Sequence, residues 1–64
     1  NANYVRMAME LLPEDYVVIG LRVEYRVAAK FGDMLIPTLF QIEGGIIVSF
    51  SINSEVSAII EFTT

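Results

Sequence analysis

The stretch Tyr4–Leu12, YVRMAMELL, decides the fold, because it alone in the 64 residues carries helical spacing and everything after it alternates like strand. Arg6 and Glu10 are its only polar residues, and their four-residue separation puts them on one side, where they can pair weakly. Tyr4, Met7 and Leu11 recur every three to four residues as one stripe, and Val5, Met9 and Leu12 widen it. A helix apolar over most of its circumference is expected to be buried over most of it. Two readings of the stripe stand: core packing, or a channel in which flexible, polarizable Met7 and Met9 line a path for an apolar ligand such as an acyl chain. Pro13 ends the helix by pushing its predecessor out of helical geometry, and Glu14-Asp15 make a polar turn.

Four strands are predicted after the helix. Val17–Lys30 reads as one long strand with Leu21, Val23, Tyr25, Val27 and Ala29 on one face and Arg22, Glu24, Arg26, Ala28 and Lys30 on the other. Arg22, Arg26 and Lys30 then form a row holding three of the chain's four basic residues, either a solvated outer face or a docking strip for an acidic partner. Phe31-Gly32-Asp33 breaks this strand. Leu35–Ile42 follows, with Pro37 favouring an edge position or a bulge because proline cannot donate to a ladder. Glu43-Gly44-Gly45 reads as a tight hairpin, Ile46–Ile52 as a third strand, Asn53-Ser54 as a turn and Val56–Thr63 as a fourth strand. Helix first and meander after is the expected order.

A chain of this length buries only about 60% of its unfolded surface, so its core is marginal. With 55% hydrophobic residues, a mean hydropathy of +0.58 and no cysteine, association is the remaining support, and a homodimer is expected. A net charge of −4 and a pI near 4.4 argue against nucleic-acid binding, which needs clustered Lys and Arg. No apolar run approaches the roughly 18 residues of a membrane span and no signal-peptide pattern is present, so membrane insertion is not expected and the cytoplasm is the default location. The absence of histidine removes the commonest general base, leaving Ser49, Ser51, Ser54 and Ser57 without a partner for nucleophilic chemistry. Glu10, Glu14 and Asp15 cluster at the helix C-terminus, where they suggest a solubilising loop; no metal site and no cofactor are expected. Asn1-Ala2 reads as the remnant of a cleaved expression tag, and the chain as a piece of something longer.

The runs NANYVRMAMELLPEDY and LRVEYRVAAKFGDML resemble the C-terminal half of acyl-acyl-carrier-protein thioesterases, which are built from two hotdog modules in tandem. That family carries Asp-x-Asn-x-His-Val-Asn-Asn-x-x-Tyr-Ile/Val running into the hotdog helix; Asn1 matches the last Asn and Tyr4-Val5 the closing pair. The helix ends in Leu12-Pro13 as in the family, Glu24-Tyr25-Arg26 matches a Glu-Tyr-Arg/Lys triplet, and Gly32-Asp33 matches the turn closing that strand. Beyond Asp33 the similarity rests on pattern.

The resemblance implies an α+β, hotdog-like fold, one long buried helix followed by a four-stranded antiparallel sheet, with residues 1–64 forming a single partial hotdog domain. It implies hydrolysis of a fatty acyl thioester on the carrier protein's phosphopantetheine arm, with the catalytic Asp, Asn and His upstream and no catalytic side chain in this chain. Plant-type members place a catalytic Glu two residues beyond the Arg of the triplet; Ala28 stands there and can neither activate water nor orient a base. The helix N-terminus can still offer backbone amides to a thioester carbonyl. Tyr4, Met7 and Leu11 are the acyl-tunnel candidates, and Arg22, Arg26 and Lys30 the candidates for docking an acidic acyl carrier protein. The alternatives are a non-catalytic hotdog module for binding or dimerisation, or an acyl-CoA thioesterase or dehydratase relative.

Overall fold

The computed structural model describes residues 2–64, and of Ala2 the backbone alone. The readings placed on Asn1, tag remnant and motif match, lie outside the described residues. A helix, α1 (Ala2–Glu10), is followed by four strands: β1 (Gly20–Tyr25), β2 (Ile36–Ile42), β3 (Gly45–Ile52) and β4 (Glu55–Thr63). The chain is therefore a small α+β unit with one short helix on an antiparallel sheet.

α1 stops at Glu10, two residues before the expected Leu12. Pro13 has no N–H to give the Met9 carbonyl, so the last turn tightens: Leu12 N donates to Met9 O at 3.2 Å and Leu11 N to Ala8 O at 3.1 Å. Burial overturns the expected long buried helix. Tyr4 and Ala8, four apart, are buried; Val5 and Met7 are half-buried; Arg6, Met9 and Glu10 are exposed. Met9 keeps 52% of its surface on the side of α1 turned away from the sheet, and Leu11, just past the end of α1, keeps 43%. Among the described residues no helix is long and apolar enough to cross a membrane.

The strand order is β1-β4-β3-β2, antiparallel throughout. β2, β3 and β4 form the expected meander, but β1 lies beside β4 at the opposite edge from β2, which corrects the four-strand meander. Its predicted length is corrected as well, from Val17–Lys30 to Gly20–Tyr25. The cause is a bulge in β4: Ser51 pairs with Val56 and Phe50 with Ala58, leaving Ser57 as the extra residue. Ser57 O accepts from both Arg26 N, at 2.8 Å, and Val27 N, at 3.2 Å, so the ladder ends there and the chain leaves for the far edge. β2 is an edge strand, as Pro37 predicts. Its hydrogen bonds to β3 fall on the pairs Ile42–Gly45, Phe40–Ile47 and Thr38–Ser49, in phase with the two-residue hairpin, so the Pro37 nitrogen faces the free edge and no bond is lost.

The interior is one face of the central pair. Ile46, Val48 and Phe50 of β3 and Ala58, Ile60 and Phe62 of β4 are buried and pack in one cluster with Tyr4 and Ala8, and Ile52 is buried outside that cluster. The hairpin 42–45 turns through Glu43-Gly44, with Gly44 at φ +79°, and a Cβ on Gly45 would collide with the Phe62 carbonyl oxygen. The hairpin 52–55 turns through Asn53 (φ 50°) and Ser54 (φ 68°), both in the left-handed region that a two-residue turn of this hand demands. On the outer face Ile36, Phe40 and Ile42 remain exposed and Ile47 and Ile59 half-buried.

Candidate functional site

A cavity of about 330 Å³ lies where the first turn of α1 meets the end of β1, lined by Tyr4, Tyr25, Arg26, Val27, Ala28 and Ala29. Alternation puts Tyr25 on the helix side of β1 with Leu21 and Val23, and there its ring meets Tyr4 edge-on at 5.7 Å between centroids. Tyr4 also meets Phe50 edge-on at 5.6 Å, which ties the cavity wall to the core. The Ser57 bulge fixes the rest. Ser57 Oγ donates to Val27 O at 2.6 Å, and Tyr4 Oη lies 2.9 Å from Ser57 Oγ. A hydroxyl has one proton, so with that of Ser57 on the carbonyl, Tyr4 is the donor of the second bond. Helix, bulge and the segment after β1 are thus held by two hydrogen bonds in series, with Ser57 fully buried.

This arrangement suits binding more than reaction. Both hydroxyl protons are engaged, so neither Tyr4 nor Ser57 can donate to a ligand through them, and the Tyr4 oxygen is left as an acceptor. Arg26 Nε bonds Glu24 Oε2 at 2.5 Å, while its side chain stays more than half exposed. The guanidinium keeps further N–H groups for an anion. Among the described residues no group of three or more carboxylates is placed to hold a metal ion.

Of the acyl-tunnel candidates only Tyr4 reaches this cavity. Met7 packs half-buried against the core, and Leu11, beyond the end of α1, is exposed. The basic row is not formed: Arg22 sits within β1, but the strand ends at Tyr25, and Lys30 lies in a turn where its N donates to Asp33 Oδ2 at 2.7 Å. Alternation already set Tyr25 on the apolar face; Ser57 was legible only as a serine without a base, since nothing in the sequence marks the bulge that buries it. Compared with known proteins, the chain matches no family model, no curated protein and no solved structure.

Proposed function

We propose that the chain is the C-terminal hotdog portion of a fatty acyl-acyl-carrier-protein thioesterase, supplying wall and helix for the acyl group while the catalytic Asp, Asn and His come from residues before Tyr4. One observation carries the reading. The two stretches that bear the resemblance, Tyr4-Val5 and Glu24-Tyr25-Arg26, are twenty residues apart in sequence and converge on one cavity, where the rings of Tyr4 and Tyr25 touch. Ala28, which stands where plant-type relatives carry a catalytic Glu, lines the same cavity. Its size is at the low end for small-molecule sites, and it lies beside the first turn of α1, whose backbone amides suit a thioester carbonyl. A single helix laid on an antiparallel sheet accords with a partial hotdog plan.

The acyl carrier protein is the expected partner. Arg26 lines the cavity and Lys30 follows directly on Ala29, so two cations are available to an acidic surface near the opening, while Arg22 lies on the opposite face of β1. The alternative, a binding or dimerisation module without chemistry, draws on the apolar outer face at Ile36, Phe40 and Ile42.

The test is hydrolysis of lauroyl or palmitoyl carrier protein by the 64-residue chain and by the same chain preceded by the residues its gene encodes. The reading expects an Asp-x-Asn-x-His run before Tyr4, turnover by the extended protein and none above background by the chain alone. Turnover by the chain alone that survives repurification contradicts the assignment of the chemistry to upstream residues, and an inactive extended protein contradicts the thioesterase.

A further inference from the structure

We propose that the ring of Tyr25 sets the length of acyl chain that this site accepts, closing it at about twelve carbons. The inference rests on the acyl-binding reading of the cavity and adds the substrate class to it: medium-chain rather than long-chain acyl groups.

Volume sets the limit. At roughly 30 Å³ for each methylene, the share of liquid volume that one water takes, a cavity of about 330 Å³ holds about eleven carbons of tail. That is a lauroyl chain with its carbonyl at the rim. The further methylenes of a palmitoyl chain stay in water and add nothing to binding, because an apolar carbon contributes only where it leaves water.

The walls differ in how firmly the fold holds them. Tyr4 is buried, hydrogen-bonded to Ser57 and packed edge-on against Phe50, so it belongs to the core. Val27 is pinned by its backbone, its N donating to Ser57 O and its carbonyl accepting from Ser57 Oγ. Ala28 and Ala29 reach no farther than Cβ, and Arg26 is drawn to Glu24. Tyr25 is the large side chain that remains. It is 50% exposed, it ends β1, and its ring meets Tyr4 edge-on, so it closes the space between the helix and the end of the strand. Behind it the helix-side face of β1 continues with Val23, which packs against the core, and Leu21, which is exposed. Removing the ring therefore opens the cavity onto an apolar lane, and the space the ring leaves takes about four more carbons.

A series of alkyl phosphopantetheine thioethers of about six to sixteen carbons, titrated calorimetrically into the 64-residue chain, reads the limit. Kd is expected to fall about fourfold per carbon up to about twelve and then to level off. In Tyr25→Ala the fall is expected to continue to about sixteen, and in Tyr25→Phe, which keeps the ring, to stop at about twelve as before. Tyr25→Val, which keeps the strand propensity of the position, is expected to reach about fifteen and serves where the alanine variant does not fold. Ala28→Leu, at an exposed position outside the strands, fills part of the cavity and is expected to stop at about nine. A wild-type Kd that keeps falling to the longest probe, or a limit unmoved in the folded Tyr25 variants or in Ala28→Leu, overturns this inference and leaves the acyl site standing. No binding at any length overturns the acyl site, and this inference with it.

Discussion

β2 and β3 are neighbours in one hairpin and both alternate in sequence, yet β3 buries every second residue and β2 buries none. Val48 in β3 is fully buried while Leu39, its partner on the same face of β2, is 41% exposed. Period-two alternation assigns a residue to a face; whether that face is covered depends on position in the sheet. β3 lies between β2 and β4 under the helix, whereas β2 is an edge whose outer-face residues meet no second layer. Stability accordingly resides in the β3–β4 pair with Tyr4 and Ala8, and the edges are where surface remains for binding.

The contrast breaks first at a phenylalanine pair. Phe62→Ala, fully inside, is expected to cost about 3–5 kcal/mol and to unfold a domain of this size, whereas Phe40→Ala at the edge is expected to cost under about 1 kcal/mol. Urea unfolding followed by circular dichroism checks both, and equal costs would mean that β2 is covered in solution. Next is the tie between core and cavity. Ser57→Ala strands the Tyr4 hydroxyl and the Val27 carbonyl, at a cost of about 1–3 kcal/mol. In the Tyr4→Phe background the loss should be smaller, a coupling that a double-mutant cycle measures.

Two substitutions are expected to stabilise. Tyr16→Phe removes a buried hydroxyl that has no hydrogen-bond partner among the described residues, for a gain of about 1 kcal/mol in the midpoint-derived free energy. Ser54→Gly relieves a left-handed residue at φ 68° and, after the greater backbone entropy glycine loses on folding, should gain about 0.5 kcal/mol in thermal unfolding. A loss at Ser54→Gly would show that the serine side chain holds the turn.

Much of the β2–β3–β4 meander is legible in the sequence, and for local reasons. Glu43-Gly44 and Asn53-Ser54 are two-residue turns flanked by alternation, and Pro37 marks an edge because it lacks a donor. What is not legible depends on partners far along the chain. β1 stops at Tyr25 because of a bulge at Ser57, over thirty residues away, and alternation from Val17 to Lys30 carries no trace of it. The stripe Tyr4, Met7, Leu11 was divided by Pro13, which ended the helix before Leu11, and by the one-sided sheet, which left Met7 half-buried. The cavity was half legible: Tyr4 and Tyr25 by face, the Ser57 anchor not at all.

The central claim is that an acyl group is held where Tyr4 meets Tyr25–Ala29. Its most direct test is a titration of the isotopically labelled 64-residue chain with a lauroyl-phosphopantetheine thioether, followed by amide chemical shifts. The account predicts saturable shifts at Tyr4 and Tyr25–Ala29, with Met9, Leu11 and Phe40 unmoved. Shifts confined to the outer face at Ile36, Phe40 and Ile42, or none at a saturating concentration, would contradict it.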